Sequence, residues 1–268
     1  MDRKTKEIVS RLFGNCTKDL LRLYNTSALF LNAIDLTRNR YDSVRVDSFL
    51  STVGNLDSSF MSFVDSFSNS CFTFTRSQLL DFYSVNAVHE VAKNFVIKSV
   101  AIMDTYLEEL FVNLLNLHEK GITEKQVAGR VHYAFGIEGS LRKFLLDLGM
   151  DKPQDYSSSP EMVFDRYEEI RLIRHCLSHK NGVVDEEIRR KLDVFKDRLP
   201  EDLKEFSIAS SYIVKDSKVY LDHSTLYIFR KWYLDAIVYF VLAFKIDLGE
   251  FTTKDLLPWS TSFIGTSE

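Results

Sequence analysis

Apolar positions recur at helical spacing along most of the chain. Residues 2–24 set Ile8, Leu12, Leu20, Leu21 and Tyr24 between charged residues, which predicts an amphipathic helix. Asn25-Thr26-Ser27 reads as a stop and a new N-cap, with a second helix over Ala28 to Leu36. Residues 41–80 interleave Ser, Asp and Asn with Phe and Val. There the spacing of Phe60, Phe63, Val64 and Phe67 fits either a packed helix or a mobile arm. The strongest periodicity follows. Val91, Phe95, Ile102, Tyr106, Leu110, Leu114 and Leu117 form one stripe over residues 86–118, with no Gly or Pro before Gly121. Such a helix is about 50 Å long, the backbone of a bundle.

Thr123 opens the next segment, which Gly136 and Gly139 break, and Ser140 can cap Leu141 to Leu148 ahead of Gly149. Lys152 to Pro160 is a polar loop. Pro160 fits the first position of a helix running through Glu161 to about His179, and Asn181 or Gly182 supplies a left-handed cap. Asp185 caps a charged helix to Arg198. Tyr212-Ile213-Val214 and Val219-Tyr220-Leu221 flank a four-residue polar turn and read as a small hairpin. A last apolar helix covers Leu226 to Ile246, and the tail after Gly249 reads as irregular. The expected fold is all-α, a helical bundle with a small β-hairpin insertion. Its parts are an N-terminal helical extension packing on the bundle (1–85), the bundle (86–248) and an irregular tail (249–268).

Composition sharpens this. Only 4 prolines and 10 glycines interrupt 268 residues, and 21 phenylalanines make the burial largely aromatic. The net charge of −4 argues against extensive wrapping by nucleic acid, though not against a compact site that cleaves it. Cys16, Cys71 and Cys176 are odd in number and far apart, as expected of reduced thiols in the cytoplasm. Met1 to Lys6 has no apolar run of the kind a secretion signal needs. Trp232 to Phe244 contains Asp235 and is too short to span a bilayer, so no membrane partner is expected.

One stretch carries chemistry: Arg174-His175-Cys176-Leu177-Ser178-His179. Arg174 and His179 are about 140° apart around the helix axis, yet both can reach a phosphate at the helix end. A two-fold dimer pairing these helices would gather two Arg and two His in one cleft. Histidine can move a proton from a ribose 2′-hydroxyl or to a leaving oxygen, and arginine can stabilise the pentacovalent phosphate. Cations near a helix C-terminus also simply complement its dipole. His175 and His179, at i and i+4, could bind zinc, but the spacing of His89, His118, His132 and His223 supplies no further ligand. Asp104, inside the long helix, wants a partner such as Arg174 or Arg171. Arg171 could add a phosphate contact or pair with Glu168 or Glu169. Arg189-Arg190-Lys191, flanked by acids, reads as a solvated face. No phosphate-binding glycine loop, nucleophile elbow or paired metal carboxylates are visible, so neither a metal nor a cofactor is expected.

The segment Ile170 to Gly182, with Arg174, His179 and Asn181-Gly182, resembles the signature helix of HEPN domains. Ser99 to Leu110, bearing Asp104, is similar to that family's first long helix. The resemblance covers residues 86–248. It implies a helical bundle that dimerises along the motif helices and cleaves RNA without metal, leaving a cyclic phosphate and a 5′-hydroxyl. Arg174 and His179 would then be catalytic and Asp104 would orient Arg174, with His175, Arg171, Ser178 and Asn181 in support. The implied partners are RNA, a second copy, and a neutralising antitoxin or a defence-system partner. Two positions depart from the pattern. His175 stands where Asn or another polar residue is common, and Asn181 stands where members silenced by adenylylation carry Tyr. A non-catalytic module binding nucleotide, RNA or protein is the alternative. A third reading is an interaction protein whose Phe-rich N-terminal segment docks a partner.

Overall fold

The computed structural model describes residues 2–45, 49–51, 73–154, 156–201, 204, 207–208, 211 and 213–251. Over these residues the chain is all-α, with two very small antiparallel ladders. In chain order the elements are α1 (Arg3–Asp42), β1 (Phe49–Ser51), β2 (Thr73–Thr75), α2 (Arg76–Asp81), a π-helical turn (Phe82–Asn86) and α3 (Ala87–His118). There follow α4 (Glu124–His132), α5 (Ser140–Asp147), α6 (Pro160–His179), α7 (Glu186–Asp197), β3 (Val214–Lys215), β4 (Lys218–Val219), α8 (His223–Ala243) and α9 (Leu248–Phe251). Among the described residues, no helix is long and apolar enough to cross a membrane.

The first helix corrects the sequence reading. No stop occurs at residues 25–27, and α1 runs unbroken for 40 residues. Thr26, expected to help cap a new helix, instead serves the existing one: its hydroxyl donates to the Arg22 carbonyl at 2.9 Å, one turn back. Thr37 further along donates to the Ala33 carbonyl in the same way. Val9, Leu12, Phe13, Cys16 and Leu20 join the main apolar core, whereas Leu29, Phe30 and Leu36 further along are exposed. Phe60, Phe63, Val64, Phe67 and Cys71 lie outside the described residues, as does most of the tail after Gly249. β1 pairs with β2 within the stretch read as a packed helix or a mobile arm. The boundary drawn between residues 85 and 86 falls inside the π-helical turn, in a helical path that begins at Arg76.

The long helix α3 forms as its stripe predicts. It is buried more widely than one stripe requires, because α1, α6 and α8 all pack on it. Val96, Val100, Met103, Leu107, Phe111 and Leu115 are each almost fully buried beside the predicted Phe95, Leu110 and Leu114. Phe13 of α1 stacks on Phe240 of α8 at 5.4 Å, and Phe164 of α6 meets the same ring at 5.3 Å, so one aromatic layer ties three helices. α8 begins three residues before the expected Leu226, because Asp222 and Thr225 form a reciprocal N-terminal cap. Ser140 is the first residue of α5 rather than its cap, and its hydroxyl donates to the Arg130 and Tyr133 carbonyls. Gly139 before it admits no side chain: a Cβ would stand 2.4 Å from the Ala134 carbonyl oxygen.

The helix carrying the motif is fixed at both ends and along its inner face. Pro160 is its first residue, as expected, and the Ser159 side chain caps it. At the far end Asn181 (φ 51°) and Gly182 (φ 78°) both adopt the left-handed conformation, and the Gly182 amide returns to the Cys176 carbonyl at 2.9 Å. The β3–β4 hairpin turns through Asp216 and Ser217, both at positive φ, and grips this exit: Val184 donates to Ser217 and Val219 to Gly182, each at 2.9 Å. Tyr212, expected at the hairpin's start, lies outside the described residues. On the inner face Asp165 accepts from Arg142 of α5 at 2.5 Å and from Arg198 at 3.0 Å. Glu169, 2% exposed, accepts from Arg166 at 2.9 Å and from the Ile208 amide at 3.1 Å.

Burial pushes the Glu169 carboxyl up to about 7, against the pull of Arg166 and the Ile208 amide. A carboxyl raised in this way favours the folded state at acid pH. Its contribution is full below about 4.5, its unfolded value, and is lost as pH rises to about 7. Glu169→Gln removes that titration. The stability difference, variant minus wild type, is therefore expected to grow by on the order of 3 kcal/mol from the acid to the alkaline side of this window. Urea midpoints measured across the window check this, and a flat difference would contradict it.

Candidate functional site

The inner face of α6 is made by Ile170, Ile173, Cys176 and Leu177, all buried. The helical period turns Arg171, Arg174, His175, Ser178 and His179 to the opposite side. His175, Ser178, His179 and Asn181 are exposed there, and Arg174 and Arg171 are half-buried against α3. The motif therefore forms an outward face rather than an enclosed pocket. Arg174 and His179 sit at its two edges, with Arg171 and Ser178 on its midline.

Asp104 of α3 joins this face to the bundle. Its Oδ1 accepts the Tyr167 hydroxyl at 2.7 Å and Arg171 Nε at 3.0 Å, and its Oδ2 accepts Arg174 Nη1 at 3.1 Å. Sequence reasoning offered Arg174 or Arg171 as the partner, and the structure uses both. A carboxylate with only 13% of its side chain exposed loses much of its hydration, and three donors make this up. Burial still pushes its pKa above the usual range, opposed first by the Arg171 charge, then by the Tyr167 hydroxyl and Arg174.

Arg171 is engaged on three sides. Besides Asp104 it donates to Glu168 at 3.2 Å, and its guanidinium lies 3.9 Å from the centre of the Phe135 ring. Glu168 is held in turn by the Gly136 amide at 2.8 Å. Tyr167 is fully buried between Asp104 and Trp232, whose ring stacks parallel to its own at 5.9 Å. Tyr167, Glu168, Phe135 and Gly136 were not singled out as site residues. Tyr167 looked like one more apolar position, and Phe135-Gly136 looked like a helix break. The signals lie on α6 alone: Tyr167 is one turn before Arg171, and Glu168 is an ion-pair candidate for Arg171, whereas Phe135 and Gly136 carry none.

The histidine rings of the motif stand 5.1 Å apart. Partial desolvation, then the neighbouring His179, Lys180 and Lys191 charges, lower the His175 pKa from the usual histidine value. Lys180 pairs with Asp185, the cap of α7. His118 lies beside Thr5 and Asp2, and His223 beside Asp35, so neither joins the pair. Among the described residues no group of three or more His, Cys, Asp or Glu is placed to hold a metal ion. Lys191 pairs with Glu187, and Arg189 reaches the Ser217 hydroxyl on the hairpin, as on a solvated face.

Comparison with models of protein families, with curated proteins and with solved structures finds no match to this chain.

The two arginines differ in how much structure they carry. Arg171→Ala empties a half-buried position beside two acids and is expected to cost about 2–3 kcal/mol. Arg174→Ala removes one hydrogen bond among the described residues, from a side chain 36% exposed, and is expected to cost less than about 1 kcal/mol. Equal losses in urea unfolding would contradict this division.

Proposed function

We propose that this chain is a metal-independent endoribonuclease of the HEPN type, working as a homodimer whose cleft is built from Arg174 and His179 of two copies. The observation that carries the reading is the outward face of α6. Arg174 is tied to Asp104 of α3, His175, Ser178 and His179 are exposed beside it, and Asn181-Gly182 closes the helix. The resemblance rests on the same residues.

In such a cleft a neutral His179 ring takes the proton from a ribose 2′-hydroxyl. The 2′-oxygen attacks phosphorus, the bond to the 5′-oxygen breaks, and the protonated His179 of the second copy supplies the leaving oxygen's proton. The arginine forks donate to the non-bridging oxygens as charge builds on them. The products are a 2′,3′-cyclic phosphate and a 5′-hydroxyl end, and no water is consumed. An enzyme of this kind in the cytoplasm needs restraint, which a neutralising antitoxin or a defence-system partner would supply.

One observation favours the non-catalytic alternative, a module binding nucleotide, RNA or protein. Arg171 and Arg174 are balanced by Asp104 and Glu168, so the arginines leave little surplus positive charge to draw a phosphate. The ends of the RNA separate the two readings. Cleavage is expected to persist in EDTA, to yield 5′-hydroxyl ends, and to fall at least a hundredfold in His179→Ala while the variant stays folded and dimeric. Unchanged cleavage by that variant, or no new ends from the wild type, would sink the nuclease reading.

A further inference from the structure

Arg171 and Arg174 look alike in sequence, one helical turn apart on one face, and either could contact a phosphate. Their surroundings set them apart. A carboxylate oxygen has two lone-pair directions in the plane of the group. The Asp104 Oδ1 has both engaged, by the Tyr167 hydroxyl at 2.7 Å and Arg171 Nε at 3.0 Å. Only Oδ2 is left to face Arg174, which reaches it through Nη1 at 3.1 Å. The direction of the carboxylate, and through it the direction of the Arg174 fork, is therefore set by Tyr167 and Arg171.

Arg171 is itself immobilised. Nε is on Asp104, Nη1 is on Glu168 at 3.2 Å, and the flat face lies over Phe135 at 3.9 Å. To reach a phosphate it would have to leave two carboxylates and an aromatic ring. Arg174 makes one hydrogen bond among the described residues and keeps donors for a ligand. The turn between α4 and α5 completes the clamp. It supplies the Phe135 ring and the Gly136 amide that holds Glu168, and its shape depends on Gly139, where no side chain fits.

We propose that Arg171 is a positioning residue, clamped by Glu168 and Phe135 so that Asp104 presents Arg174 to the substrate. The proposal rests on the nuclease reading for its kinetic consequences and on geometry alone for the ordering of Arg174.

The charged and titratable groups around Asp104 are Glu108 on α3, Tyr167, Glu168, Arg171 and Arg174 on α6, and Tyr233 on α8. Arg171 is the strongest of them in keeping the carboxylate ionised, against its burial. Loss of Arg171 therefore raises the pH at which Asp104 takes up a proton and releases Arg174.

The test compares wild type, Arg171→Gln, Arg171→Lys and Phe135→Leu on a single-stranded RNA oligonucleotide across pH 5 to 9. NMR of the arginine side chains, assigned with Arg174→Ala, follows in parallel. In Arg171→Gln, kcat is expected to fall about thirtyfold or more with KM within twofold, and the acid limb of the profile to move to higher pH. Arg171→Lys restores the position of the acid limb but only part of kcat, because an ammonium lacks the planar fork. Phe135→Leu keeps every charge and is expected to shift kcat in the same direction by less, so the proposal stays testable if Arg171→Gln does not fold. A raised KM with unchanged kcat would make Arg171 a substrate contact and overturn the proposal, as would no change in either.

If the wild type cleaves no RNA, the nuclease reading fails and the NMR arm decides the positioning. Slow guanidinium rotation of Arg174 in the wild type, lost in Arg171→Gln or Phe135→Leu, supports the clamp. Rotation unaffected by both variants overturns it.

Discussion

A carboxylate taken out of water must be given counter-charge and donors, and Asp104 on the central helix is where this constraint falls. It is met wholly from α6, by Tyr167, Arg171 and Arg174. Those three positions lie at helical spacing, so answering one buried charge sets both the register of α6 against α3 and its rotation about its own axis. The rotation places Ile170, Ile173, Cys176 and Leu177 in the core. The histidines are left outside as a consequence. Structure and candidate chemistry are thus not separate features of α6: the pairing that anchors the helix also aims its arginine.

The ends of the motif helix are handled with equal economy. Asn181 and Gly182 turn the chain through left-handed backbone, and the β3–β4 hairpin holds the exit with main-chain hydrogen bonds. Fixing His179 in the last turn of α6 needs such a grip, since helix termini fray when their carbonyls go unsatisfied. At the other side of the site the turn around Phe135 and Gly136 holds Glu168 and covers Arg171. The motif face is thus held from both sides while its outer surface stays open.

Much of this was legible in the chain. The stripe from Val91 to Leu117 gives the long helix, Pro160 and Asn181-Gly182 bracket the motif helix, and the polar turn at Asp216-Ser217 marks the hairpin. Asp104, as an acid on an otherwise apolar helix, announced its need for a partner. What stayed hidden depended on contacts distant in sequence or on competition between local roles. Thr26 can cap a new helix or support an existing one, and the packing of α1 along α3 decides for the second. Phe135-Gly136 carries a breaker's pattern, and its role toward Glu168, 32 residues away, has no local sign. The pairing of β1 with β2 was likewise invisible, because three-residue strands show no usable alternation.

The proposal of a cleft shared by two copies is most directly tested by mixed dimers. A dimer of one wild-type chain and one His179→Ala chain keeps a complete Arg174 and His179 pair in a single copy, but only one of the two histidines that the shared cleft uses as base and acid. A composite site requires that this mixed dimer, isolated with two different affinity tags, cleave RNA little faster than the His179→Ala homodimer. Cleavage at about half the wild-type rate would contradict a shared site and place the activity within a single chain.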